Sequence, residues 1–405
     1  MRSDGRDHPT TVGDPTERIE VVGNRGVARR ERAQRSRRRK RLGVLGVAVV
    51  LLLGGVVGGG YYVFSSIFST PDFEGSGDGS VVVQVQDGDT TRQIANELLD
   101  RGVVESAEAF TKAAADEPRI RSVQPGYYQL RLRMSGASAV GLLLDPAVRV
   151  GQLEIRGGVQ LDDTSAPDGT VAPGVLSLIS KATCDGDGKC VPVADLRAAM
   201  AKTDPATLGI PSWALDDVAK AEPTRRLEGL LVPGRYDVKP GTPAVAVLQG
   251  LLATSSARLE AAGLVSGAQS IGSTPYQVLV LASLVEKEGI TPDMPKVARV
   301  IYNRLGAGQR LELDSTVNYP LDLQALRTSA ANREKPGPYN SYANTGLPPT
   351  PIAAAGSAAI QAAMTPAAGP WVFFVRCQKD GTSCFATTLA EHQANVAEAE
   401  KNGAI

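Results

Sequence analysis

What most constrains this chain is a run of 23 residues without a charge, Leu42 to Phe64, rich in Val, Leu and Gly. As a helix rising about 1.5 Å per residue, it matches the roughly 30 Å hydrocarbon core of a bilayer. Residues 29–41, just before it, carry nine basic side chains. Asp72, Glu74 and Asp78 follow it, and no basic residue appears before Arg92. That asymmetry places the N-terminus in the cytoplasm and residues 65–405 outside. A cleaved signal peptide is the competing reading, but no A-x-A site follows the apolar stretch. A single-pass protein of the cell membrane is therefore expected, with the lipid bilayer as a partner. The run Gly54–Gly59 contains overlapping small-x-x-x-small patterns that suit helix pairing, and a merely glycine-rich span reads the same way. Residues 1–41 are expected to form a disordered, basic cytoplasmic tail.

The chain holds 43 basic and 43 acidic residues, so its net charge is zero. Residues 1–41 nevertheless carry a net +7 and the rest a net −7. An acidic body argues against a nucleic-acid-coating protein, so nucleic acid is not an expected partner. The two histidines, His8 and His392, exclude a histidine-rich zinc site and a two-histidine mechanism. Cysteines fall in two close pairs, Cys184/Cys190 and Cys377/Cys384, without the C-x-x-C spacing of zinc or redox sites. Each pair brackets a polar turn and reads as a small disulfide loop, which suits an oxidising compartment. Free thiols are the competing reading.

Beyond the apolar run, residues 65–80 read as a Gly/Ser/Asp linker. Residues 81–146 alternate as strand (81–85), helix from Thr90, helix (107–115), strand (127–132) and helix (137–144), a β-α-α-β unit with the look of a binding module. A connecting part, 147–270, shows helices near 193–201, 213–221 and 243–262. Within it, Leu227-Glu228-Gly229-Leu230-Leu231-Val232-Pro233 is an apolar segment carrying one carboxylate. The fold class expected is α+β, with a mixed catalytic core at 271–405.

Chemistry concentrates in Thr274 to Gly289. Thr274 followed by Pro275 and Gln277 is a capping-box helix start, and Gly289 is a stop. The interior is almost wholly apolar, yet the helix ends in Glu286-Lys287-Glu288. Glu288 follows Leu281, Leu284 and Val285 at i−7, i−4 and i−3, an apolar face. Glu286 has Ala282 and Ser283 behind it. Burial and the negative end of the helix dipole both disfavour a charged Glu288. A carboxylic acid kept protonated near neutral pH is what general-acid cleavage of a glycosidic bond requires. A solvated helix end, with Lys287 as counter-ion, is the plainer reading. Downstream, the loop 338–349 offers Tyr339 and Tyr342 as rings for sugar faces and Asn340 as a hydroxyl binder. A rigid structural loop reads equally well.

The succession LASLVEKEG, VARVIYNRL, RLELDSTVNYPL, PYNSYANTGLPPTPI and FATTLAEHQANV resembles the endolytic murein transglycosylases of the YceG-like family. The likeness is strongest over about 275–396. It implies one N-terminal membrane helix, a LysM-like subdomain at 81–146 and an extracytoplasmic catalytic domain. It places the catalytic glutamate in Glu286-Lys287-Glu288, assigned to Glu288 with Glu286 as fallback. By the same resemblance Glu228 lines the cleft, and His392 occupies a family position. The chain departs from the family pattern at Gly157-Gly158, at Pro233-Gly234-Arg235-Tyr236 and over 349–356. The implied activity is a lytic transglycosylase cutting peptidoglycan glycan strands, with cell-wall synthases and divisome or elongasome proteins as implied partners. One carboxyl serves both of its proton transfers, so no metal and no cofactor is required. A muramidase using water would need a second carboxylate, for which Asp314 is the candidate. A non-catalytic glycan-binding scaffold is the third reading.

Overall fold

The computed structural model describes residues 49–56, 70–186, 188–325 and 328–405. The chain divides into two units, Met1–Thr70 and Pro71–Ile405. In the first, residues 49–56 are helical (α1), with Val49, Val50, Leu51, Leu52, Leu53 and Val56 exposed. Among the described residues no helix is long and apolar enough to cross a membrane. Most of the span expected at 42–64, and the whole tail 1–41, lie outside the described residues.

The second unit opens with β1 (Ser76–Val85) antiparallel to β2 (Gly126–Met134), Val83 facing Tyr128 across the ladder. Between them run α2 (Thr91–Asp100), started by a Thr90–Gln93 capping box, and α3 (Ala107–Ala115), capped by Ser106. Next comes α4 (Gly136–Leu143), capped by Ser135. Val83, Val85, Ile94, Leu98, Phe110, Tyr128, Leu130 and Val140 close a core separate from the larger one. The β-α-α-β order is the expected one, but the linker is shorter than 65–80. Ser106 Oγ donates to Pro71 O at 2.7 Å, and Gly136 N–H donates to Asp72 Oδ1 at 2.8 Å. The glycines that suggested a linker belong to an irregular strand whose register shifts between Asp78 and Val81. Gly77 has φ +71°, and a Cβ there would sit 2.3 Å from Leu132 O. Only glycine fits that approach.

A short β3 (Arg149–Val150) adds to β2, and after Gly151 the chain continues as β4 (Gln152–Ile155). The small hairpin β5 (Thr164–Ser165) and β6 (Val171–Ala172) follows, and β4 pairs with β7 (Gly234–Asp237). One nearly continuous strand thus serves two sheets and ties the β-α-α-β unit to the rest. The helices α5 (Val175–Ala182), α6 (Val193–Lys202), α7 (Leu215–Val218), α8 (Ala244–Ala261) and α9 (Leu264–Ser270) complete this part. The helix expected at 213–221 shrinks to one tight turn, Ser212–Ala214, and α7.

At the centre lies α10 (Pro275–Glu288), begun by the expected Thr274–Gln277 capping box. Tyr276 and every residue from Val278 to Val285 are buried, as an all-round apolar helix should be. Its neighbours are α9, α11 (Met294–Gly306), α12 (Asp314–Asn318) and α14 (Ser357–Met364), with α13 (Ala330–Arg333) beside α12. The chain ends in the hairpin β8 (Phe373–Arg376)–β9 (Ser383–Ala386) and α15 (Leu389–Asn402). One core runs from Leu153 to Ala363, so 147–270 and 271–405 share a single interior. Both cysteine pairs, Cys184–Cys190 and Cys377–Cys384, are bonded.

Candidate active site

Three loops converge on the end of α10. The segment 349–356 passes over the helix: Ile352 N–H donates to Ser283 Oγ (3.0 Å), and Ala353, Ala354 and Ala355 after it are buried. The segment 156–161 pairs with it through Gly158 N–H to Ala354 O and Ala354 N–H to Val159 O, both 2.9 Å. The third loop, 311–319, carries α12.

Each residue of Glu286-Lys287-Glu288 meets a different partner. Glu286 accepts the Gly356 N–H at 2.9 Å, and a Cβ on Gly157 would lie 2.1 Å from its Oε1. Lys287 Nζ donates to Gly158 O at 3.2 Å, and burial lowers its pKa. Glu288 accepts the Ser315 hydroxyl at 2.5 Å. Glu286 is thereby committed to holding the 349–356 loop against the helix, with Gly157 of the second loop packed close upon it, and Glu288 is turned towards α12. Gly157→Ala is expected to dislodge the Glu286 carboxylate and forfeit its bond to Gly356. A cost of about 1–3 kcal/mol, read by denaturant unfolding, should follow.

Glu288 is partly exposed, yet burial is the largest influence on its carboxyl and raises its pKa. The Ser315 hydrogen bond opposes that rise, the charge of Asp314 adds to it, and Lys287 opposes it. Leu281, Leu284 and Val285 behind it are buried, as the i−7, i−4, i−3 pattern required.

Asp314 is engaged on both oxygens. Arg333 donates to Oδ1 at 3.0 Å and to Oδ2 at 2.9 Å, Tyr342 hydroxyl to Oδ1 at 2.8 Å, and Thr328 N–H to Oδ2 at 3.2 Å. Just before it, Glu312 has φ +54°, a left-handed backbone rare for a non-glycine residue. Glu312 N–H donates to Ser341 O, and Leu313 N–H to Ser341 Oγ, so the 338–345 loop fixes that bend.

The sequence-predicted binders divide. Tyr342 lies at the site, bonded to Asp314 with Arg333 over its ring at 4.9 Å. Tyr339 packs on Tyr319 (4.9 Å between centroids) and shares a hydrogen bond with Thr350. Asn340 does not present its amide to a ligand. It is 5% exposed, donates to Arg333 O and Lys335 O and accepts from Tyr342 N–H, because it closes its own loop. Glu228 does not line a cleft either: it is 2% exposed, drawn inside by the apolar residues around it. There it accepts Leu161 N–H at 3.1 Å, and burial pushes its carboxyl up to about 8. His392 stacks on Phe373 at 5.1 Å, and burial lowers its pKa.

Ser315 and Arg333 escaped the sequence reading. Ser315 stood beside Asp314 in a motif already singled out, so its signal was present. Arg333 sits in a polar stretch with no pattern to mark it. A cavity of about 480 Å3 lined by Asp162, Arg197, Arg225 and Asp322 does not reach Glu288. Its charges pair with one another: Arg197 with Asp162 at 2.5 Å, Arg225 with Asp322 at 2.6 Å. Among the described residues no group of three or more His, Cys, Asp or Glu side chains is placed to hold a metal ion.

Comparison with known proteins gives a consistent picture. The sequence model of the YceG-like family matches residues 83–398. An endolytic murein transglycosylase of Bacillus subtilis is 27% identical over 343 residues, covering 82% of this chain and 88% of that protein. One from Streptococcus pneumoniae is 25% identical over 362 residues, covering 87% of this chain but 64% of that protein's length. The crystal structure of a YceG-like protein from Listeria monocytogenes has a likeness in fold, with a TM-score of 0.51 at 24% identity. The match covers 78% of this chain and 99% of that one.

Proposed function

Given that the chain belongs to the YceG-like family, we propose that it is a lytic transglycosylase cutting peptidoglycan within its glycan strands, with Glu288 as the acid and base. One observation carries this. Glu288 stands at the end of a buried helix with its proton favoured by burial, while the neighbouring carboxylate, Asp314, is committed to Arg333, Tyr342 and Thr328.

Protonated Glu288 donates to the glycosidic oxygen between MurNAc and GlcNAc as the bond to C1 breaks. The resulting carboxylate takes the proton of the MurNAc C6 hydroxyl, whose oxygen attacks C1 and closes a 1,6-anhydro ring. The proton count balances on one carboxyl, and water does not enter. Ser315 orients the carboxyl through both steps. Residues 81–146 act as a LysM-like glycan-holding module, and the apolar run 42–64 anchors the enzyme to the membrane with the catalytic part outside. There the cut would end nascent strands beside the synthases that extend them.

A water-using muramidase would need Asp314 free as nucleophile or base. Asp314→Asn separates the two. Under our reading the variant still cleaves, but its activity falls at lower pH than the parent's. Removing a negative neighbour lowers the Glu288 pKa, so the acid loses its proton sooner as pH rises. A loss of about 10²–10⁴-fold at every pH would instead assign Asp314 a direct catalytic part. Strand-cleavage rates from pH 5 to 9 decide the matter.

A further inference from the structure

Glu228 is a buried carboxyl that the reaction does not use, and it stands where the site's loops meet. Its Oε2 accepts the Leu161 N–H, which ends the segment whose Gly157 and Gly158 touch Glu286 and Lys287. On another side it faces Tyr319, four residues beyond Ser315, whose buried hydroxyl forms no regular hydrogen bond with any described residue. The next residue, Gly229, has φ +73°, and a Cβ there would lie 2.4 Å from Pro351 Cβ. Pro351 precedes Ile352, whose N–H is held by Ser283 of α10. One side chain and its turn therefore touch all three loops around the catalytic helix.

We propose that Glu228 is a positioning residue whose carboxyl braces the 156–161 loop against Tyr319, so that both clasp the end of α10 and keep Glu288 aligned. The un-ionised acid has an O–H to share with the unpartnered Tyr319 hydroxyl while its other oxygen accepts from Leu161. Ionised, it would place a charge in an apolar interior, a cost that a hydrogen bond from Tyr319 offsets only in part. The charged and titratable groups facing it are Arg225 and Asp162 from the cavity side, Lys287 from α10, and the Tyr276, Tyr319 and Tyr339 hydroxyls. Arg225 is already occupied by Asp162 and Asp322. Burial dominates, and the proton is retained to about pH 8. The brace then loosens in mildly alkaline solution, a pH response separate from Glu288's own.

This rests on Glu288 being the acid, so the test carries one readout that needs no catalysis. Hydrogen exchange over 156–161 and 314–321 is followed in the full chain from pH 6 to 9, corrected for intrinsic rates, alongside cleavage kinetics. The wild type should lose protection in both segments above about pH 8. Glu228→Gln, which keeps an acceptor for Leu161 and a donor for Tyr319, should keep protection and hold its kcat further into the alkaline range. Glu228→Leu should lose protection at every pH and lower kcat about 10- to 100-fold with little change in KM. Superposable exchange and pH profiles for the wild type and Glu228→Gln would overturn the proposal. So would a Glu228→Gln variant as impaired at pH 6 as Glu228→Leu. If the wild type cuts nothing while exchange behaves as expected, the brace stands and the catalytic reading fails.

Discussion

Glu288→Gln is expected to lower strand cleavage by about 10²–10⁴-fold, the usual worth of a positioned acid–base group. The change is nearly isosteric. The amide oxygen still accepts the Ser315 hydroxyl, and Leu281, Leu284 and Val285 still pack behind it. What disappears is the transferable proton. Because burial already disfavours the ionised form of Glu288, a neutral amide should leave the fold as stable as before or slightly more so. Unfolding midpoints and glycan binding should therefore be retained while turnover is lost. Glu286→Ala should behave differently. It removes the acceptor of the Gly356 N–H and the side chain packed against Gly157, so that variant should lose stability before it loses chemistry.

The second large effect is on stability, and its sign runs against the usual acid-to-amide expectation. Glu228 in the folded chain keeps its proton to about pH 8, against an ordinary value of 4.5. Between those values the native state binds more protons than the unfolded chain, so stability falls as pH rises through that window. Below 4.5 both states are protonated and nothing is lost; above 8 the full cost is present. Glu228→Gln carries no such cost and can still satisfy Leu161. It should therefore be more stable than the wild type by up to about 3 kcal/mol at pH 7. The gap in Tm should close towards pH 4.5 and level off above pH 8. Parallel Tm curves for the two proteins would show that Glu228 carries no raised pKa.

The helix that bears the site was legible because its signals are local. A threonine cap, a proline at the first position, an apolar interior and a terminal glycine all lie within one segment. The choice of Glu288 over Glu286 rested on the family resemblance and on the residues at i−3, i−4 and i−7, which are buried in the fold. Partnerships across the fold were not legible. Nothing near Arg333 announces that it will hold Asp314, and nothing near Gly157 announces that it makes room for Glu286. Burial of Glu228 was hinted at by Leu227, Leu230, Leu231 and Val232, yet the family likeness drew it towards a cleft. Composition misled at residues 75–79, where glycines that resemble a linker serve a bulged strand held against β2.

Cleavage by one carboxyl without water leaves its mark on the mass of the products. Uncrosslinked glycan strands are incubated with the full chain and with Glu288→Gln, and the fragments are weighed by mass spectrometry. The parent should make fragments lighter than hydrolysis products by one water, and the variant should make none. Fragments that have gained a water, or equal cleavage by the variant, would contradict that mechanism.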